Sequence, residues 1–145
     1  MSDAATAPDA RDDMREGGLR ATVLIAYGLF LLALVNGFTA IAGVVLLYVK
    51  RGDARGTSWD GHFRNLITVF WVGVALAAVL IAVALPALAS VFFALVNTNG
   101  HPPVEAFGGL LVLGPIAWLA GAVFFVWYLI RTISGFVRAL EGRPY

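Results

Sequence analysis

An all-α protein that crosses a membrane several times is the fold class that three features of this sequence predict. Of 145 residues, 60% are hydrophobic and only 13% charged, where an ordinary soluble domain is about half apolar and about a quarter charged. Three long runs, Ala21–Val49, Leu66–Val96 and Gly108–Ile130, carry no charged residue. The ten Lys and Arg all fall outside them: in the N-terminal segment, in a polar bridge, and at the C-terminal end. A small soluble protein has too much surface for its volume to hide this much apolar area, so lipid is the remaining solvent.

Residues 1–20 are rich in Ala, Asp and Arg, with Pro8 and the pair Gly17-Gly18, and show no apolar period. They read as a flexible, solvated tail. The transmembrane domain then occupies 21–145 as a single unit. Its first block, about 21–49, is longer than the ~7–15 residues of a signal-peptide core, so it is expected to stay in the mature protein.

As one helix that block would extend roughly 43 Å, more than the ~30 Å hydrocarbon core. Tilt or a kink near Asn36-Gly37 absorbs the excess. The alternative is a hairpin at Asn36-Gly37, which splits the block into short halves of about 15 and 12 residues, where a span needs about 20. Length favours one kinked span, giving three spans in all. The hairpin gives four short segments.

The bridge, 50–65, is the only internal stretch where charge, turn residues, histidine and aromatics meet. Gly52, Gly56 and Gly61 interrupt it. Thr57-Ser58-Trp59-Asp60 has the form of a capping box with Asp in place of Glu, so a helix is expected to begin near Ser58. From there Trp59, Phe63 and Ile67 share one face, while Asp60 and Arg64 stand at i, i+4 and could pair. Trp59 and Trp71 suit the headgroup region, apolar at one end and wet at the other. The bridge helix, with Trp59, Asp60, His62, Phe63, Arg64, Thr68 and Trp71, is the candidate contact face.

The second span, about 66–96, contains Pro86, which is expected to bend it. The loop 97–107 holds Asn-Gly, Pro-Pro and no Lys or Arg, and reads as an external loop. The third span, about 108–131, is of comfortable length and ends in Trp127 and Tyr128 beside Arg131, as an aromatic belt would. If its helix continues, Arg131 and Arg138 share a face and are expected to hold the helix end at anionic headgroups. Gly73/Ala77, Ala78/Ala82 and Ala117/Gly121 are small-residue pairs of the kind that lets helices approach closely in lipid.

Charge sets the orientation. The bridge and C-terminal end together hold seven Lys and Arg, the N-terminal segment three, and the 97–107 loop none. Both arrangements of the first block place the bridge and the C-terminus in the cytoplasm. Three spans put the N-terminus outside, and the hairpin puts it inside.

Convergent chemistry is scarce. Without cysteine there are no disulfides, thiolate metal sites or cysteine nucleophile. Asp60 and His62, at i, i+2, point about 200° apart on a helix, and no third ligand is near, so neither a metal nor another cofactor is expected. His101 and Glu105 flank Pro102-Pro103, which forbid a regular helix there and leave a loop. No nucleophilic triad, phosphate loop or nucleic-acid motif appears. The apolar runs contain no ionisable side chain of the kind proton-coupled pumps keep at depth.

The bridge and its flanks resemble a family of small bacterial multi-pass membrane proteins that share a domain of unknown function. His62, Phe63, Arg64, Thr68, Phe70 and Trp71 match its His-Phe/Tyr-Arg…Thr…Phe-Trp pattern, with Gly61 where the family usually has Ser. Ile41-Ala42-Gly43-Val44-Val45 and Tyr48-Val49-Lys50-Arg51 look like its preceding run. Arg131, Gly135 and Glu141-Gly142-Arg143-Pro144 look like its closing one. The family is similar to the Tic-type translocon channel subunit of the chloroplast inner envelope. The resemblance covers roughly 21–144 and implies a helical multi-pass protein of the bacterial inner membrane.

The expectation is therefore a non-enzymatic interaction or accessory subunit, with the lipid bilayer and a membrane-complex partner or a second copy of itself as partners. No nucleic acid and no small-molecule substrate are indicated. The alternative is a small oligomeric transporter or channel, possible only through oligomerisation because three spans cannot enclose a wide pore alone.

Overall fold

The computed structural model describes residues 10–101 and 103–145, without the side chains of Ala10 and Arg11. The first nine residues of the expected tail lie outside it. Among the described residues the fold is all-α, with no strand: α1 (Ala10–Asn36), α2 (Thr39–Ala54), α3 (Asp60–Asn97), a single 3-10 turn (Val104–Phe107) and α4 (Gly108–Leu140). Three segments are long and apolar enough to cross a membrane, namely Asp12–Asn36, Asp60–Asn97 and Val104–Leu140.

The first block is a hairpin, not one kinked span. α1 ends where Gly37 adopts φ +71°, a left-handed conformation that costs glycine little and commonly closes a helix. The Gly37 amide donates to the Ala33 carbonyl at 2.7 Å. Asn36 Oδ1 then accepts the Thr39 amide at 3.2 Å, and the Thr39 hydroxyl donates to the Leu29 carbonyl at 2.8 Å. At the other end the Arg15 guanidinium donates to the Asp53 carbonyl at 2.8 Å. Contacts 29–39 and 15–53 make the two helices antiparallel.

Helix begins at Ala10, so residues 10–20 are not a tail but the first turns of a 27-residue helix. Only its uncharged part, 21–36, about 24 Å long, suits the hydrocarbon core. The 16 residues of α2 also extend about 24 Å. Polar residues 10–20 carry little helical signal of their own. Tertiary contacts hold them, as is usual for helices in folded proteins.

α3 begins two residues after the expected Ser58. The Thr57 hydroxyl donates to the Ala54 carbonyl at 2.7 Å and accepts the Trp59 amide at 3.3 Å, so Thr57, the first residue of the expected capping box, supplies the side-chain turn. The helix continues unbroken in assignment through Pro86 to Asn97. α4 runs on past the third apolar block through Arg131 and Arg138, so the helical continuation that places those two arginines on one face is present. Glu105 lies in the 3-10 turn, where the sequence suggested plain loop.

The chain divides into two compact units. Unit 1 comprises residues 1–70 and 130–145, and unit 2 residues 71–129. In unit 1, α1, α2, the start of α3 and the end of α4 pack around a core of Val23, Tyr27, Phe30, Leu47, Phe63 and Leu66, all fully buried. Gly43 allows α2 to approach α1, since a Cβ there would stand 2.9 Å from Phe30 Cε2.

In unit 2 the rest of α3 and the start of α4 run antiparallel. Phe124 packs over Gly73 and Ala87 over Gly109. Their remaining apolar side chains, among them Val79, Leu85, Phe92, Leu111 and Trp118, point outward and are exposed. In water this surface would be unfavourable; in lipid it needs no cover.

Candidate functional site

The candidate site lies in unit 1, where the start of α3 meets α1, the end of α4 and the last residues of the chain. From Trp59, just before α3, the buried stripe runs on through His62, Phe63, Asn65, Leu66 and Val69 of α3, a helical repeat with two polar members, His62 and Asn65. Both are buried, so both need partners.

Those partners come from three other segments. His62 Nε2 is 2.9 Å from the Arg143 carbonyl. A carbonyl only accepts, so Nε2 carries the proton. In the neutral ring Nδ1 then accepts from the Tyr27 hydroxyl at 3.2 Å. Tyr27 in turn accepts from Asn65 Nδ2 at 3.2 Å. Arg131 closes the sequence by donating to Asn65 Oδ1 at 3.0 Å and to Tyr145 Oη at 2.8 Å. One chain of hydrogen bonds thus runs Arg131–Asn65–Tyr27–His62–Arg143. Each bond contributes about 0.5–1.5 kcal/mol net, and a buried group stripped of its partner costs about 1–3 kcal/mol.

Two glycines make the junction possible. Tyr27 lies directly on Gly135 of α4: a Cβ there would stand 2.6 Å from Tyr27 Cζ and closer still to its hydroxyl. Tyr145 folds back onto Gly61, whose Cβ would meet the Tyr145 backbone oxygen at 3.0 Å. The Tyr145 ring also receives the guanidinium carbons of Arg131 and Arg138, each 5.6 Å from its centroid, a cation–π arrangement. Farther along, Arg20 donates to the Leu140 carbonyl at 2.7 Å, a charged cap on the C-terminal end of α4. Beside these satisfied groups, the fully buried Thr132 hydroxyl has no hydrogen-bond partner.

The expected contact residues separate into two sets. Trp59 is 6% exposed and packs beside His62, ring centroids 5.6 Å apart. It is a core residue, not a headgroup anchor. Phe63 and His62 are fully buried, so neither belongs to a contact face. Arg64, Thr68, Trp71 and Arg138 are exposed, and Asp60 and Arg131 are half-buried.

The Asp60–Arg64 pair does not form. The ion pairs among the described residues are Lys50–Asp53 at 3.5 Å and Arg143–Glu141 at 3.3 Å. An exposed i, i+4 pair is worth only about 0.2–0.5 kcal/mol, too little to fix two flexible side chains.

Sequence reasoning missed Tyr27, Asn65 and Tyr145, and named Gly135 only within a family resemblance, with no role. Asn65 was legible in part, since it stands at i+3 from His62 and shares its face. No group of three His, Cys, Asp or Glu able to hold a metal occurs among the described residues. No family model, curated protein or solved structure matches this chain.

Proposed function

We propose that this protein is a non-enzymatic subunit of a bacterial inner-membrane assembly. The bridge and the C-terminal end would face the cytoplasm, and the exposed apolar faces of α3 and α4 the lipid or a neighbouring membrane protein. One observation carries the reading. The buried polar groups of the junction, His62, Tyr27, Asn65 and Arg131, are engaged in fastening four segments to one another. A reactive site needs a nucleophile, base or electrostatic clamp turned toward a substrate. These side chains are turned toward each other.

Charge supports the orientation. Every Lys and Arg of the sequence belongs to unit 1, and the only Asp, Glu, Lys or Arg in unit 2 is Glu105. The hairpin returns α1's arginines to the side of the bridge and the C-terminal end, so all ten positive charges fall on one side of the bilayer. The resemblance of the bridge to the small bacterial membrane-protein family agrees with this placement.

The test is site-specific photocrosslinking in cells. A crosslinker at exposed Arg55 or Arg138 is expected to capture a discrete partner, and one at buried Phe63 to capture none. Capture of nothing from any exposed position of unit 1 would remove the partner reading.

A second reading, a translocon-like or channel oligomer, is favoured by the exposed apolar faces of α3 and α4, which further copies of the chain would cover. Solute or ion flux through purified protein in liposomes would place it first.

A further inference from the structure

A cavity of about 270 Å³ opens beside the junction, lined by Gly61, Arg64, Asn65, Thr68, Arg131 and Tyr145. We propose that it is a binding site for the phosphomonoester headgroup of an anionic lipid of the phosphatidic acid kind.

The donor set points to a phosphate. Two arginines, Arg64 and Arg131, line one cavity together with Thr68 and Tyr145, and no acidic side chain does; Asn65, also at its wall, is engaged by Tyr27 and Arg131 and serves to hold Arg131. Among the described residues Arg64 has no ion-pair partner. Arg131 is held in place by Asn65 and Tyr145, so its guanidinium is preorganised at the wall. A carboxylate has two oxygens and one charge, enough for a single arginine fork. Two guanidiniums and two hydroxyls call for the three or more oxygens and nearly double charge of a phosphate.

Position points to a lipid. Arg64 stands two residues before the uncharged run Leu66–Val96, and Arg131 directly follows Gly108–Ile130. Both arginines therefore mark the boundary between apolar and polar chain, the depth at which headgroup phosphates lie. The inference goes beyond the subunit reading and rests only on its membrane-spanning part.

The test uses full-length protein in dodecyl maltoside, its thermal midpoint followed against dioctanoyl phosphatidic acid, dioctanoyl phosphatidylcholine and inorganic phosphate. Phosphatidic acid is expected to raise the midpoint saturably, and phosphatidylcholine and inorganic phosphate are not. Arg64→Gln is expected to weaken the phosphatidic acid response about tenfold, the loss of one charge-assisted contact. Thr68→Val should weaken it in the same direction.

Arg51→Gln removes an equally exposed charge on α2, outside the cavity, and should leave the response unchanged within about twofold. Equal weakening by Arg51→Gln and Arg64→Gln would overturn the site in favour of diffuse surface attraction. A full response to inorganic phosphate would overturn the lipid assignment, and no response to any probe by folded protein would overturn the phosphate site. Detergent-solubilised protein has no inside or outside, so an error in the proposed orientation cannot produce any of these results.

Discussion

The phenol of Tyr27 rests on the bare backbone of Gly135, and a Cβ at that glycine would stand 2.6 Å from Tyr27 Cζ. Two helices more than a hundred residues apart in sequence are thereby locked at one depth. The same phenol is the middle link of the hydrogen-bond chain through Asn65 and His62, so packing and polar satisfaction depend on a single atom's position.

Gly135→Ala should therefore lower stability by about 1–3 kcal/mol, the usual cost of overpacking a filled core. Tyr27→Phe alone should also destabilise, by about 1–3 kcal/mol, since Asn65 and His62 each lose a partner. Combined, the two changes should cost less than their sum, because the ring atom nearest the new Cβ, the hydroxyl oxygen, is gone and only Cζ and Cε1 remain against it. Urea or thermal unfolding of the four proteins in detergent measures this; strict additivity would show that the contact is not shared.

His62 fastens the returning C-terminal segment to α1, with a ring nitrogen for each. His62→Leu keeps bulk but strands the Tyr27 hydroxyl and the Arg143 carbonyl. It should destabilise unit 1 by about 1–3 kcal/mol and free residues 141–145. Cleavage after Glu141 by a glutamate-specific protease should then be faster than in the native chain. A His62→Leu protein with native stability and native cleavage rate would contradict the fastening role.

The hairpin makes a topological statement that a kinked span does not. Glu16 on α1 and Ser58 in the bridge are both exposed, and the Arg15–Asp53 contact places their segments at the same end of unit 1. Single cysteines at the two positions should react with a membrane-impermeant maleimide from the same side, the cytoplasmic one. A single span over 21–49 would put them on opposite sides, so labelling of Glu16Cys alone in intact cells would restore that reading.

Apolar runs announced α3 and α4, because their length has no other use than crossing a bilayer. The hairpin was harder to read. Asn36-Gly37 did signal a turn, but the helix N-terminal to Ala21 is built from Asp, Arg, Glu and Gly, whose order gives no period and whose helicity depends on contacts such as Arg15–Asp53 and Arg20–Leu140. The junction was harder still. His62 and Asn65 share a face at i, i+3, but their partners come from residues 27, 131 and 143, and no local pattern joins positions that distant. A lone Tyr in an apolar block and a Gly late in a helix become informative only once they touch.

Trp59 tests the same point from the side of the aromatic residues. By composition it looks like Trp71, an amphipathic ring near a run of charge, and both suit a membrane interface. The fold separates them: Trp59 is 6% exposed, Trp71 53% and Trp118 76%. Variants retaining one tryptophan each, with the other three replaced by Phe, can be reconstituted in liposomes and their emission followed. Lipids brominated on the acyl chain should quench Trp118, which sits mid-way along an apolar run with its ring outward. Neither brominated lipid nor aqueous iodide should quench Trp59 appreciably, because it is buried in unit 1 beside His62. An interfacial anchor would respond to both quenchers, so strong iodide quenching of Trp59 would return it to the membrane surface.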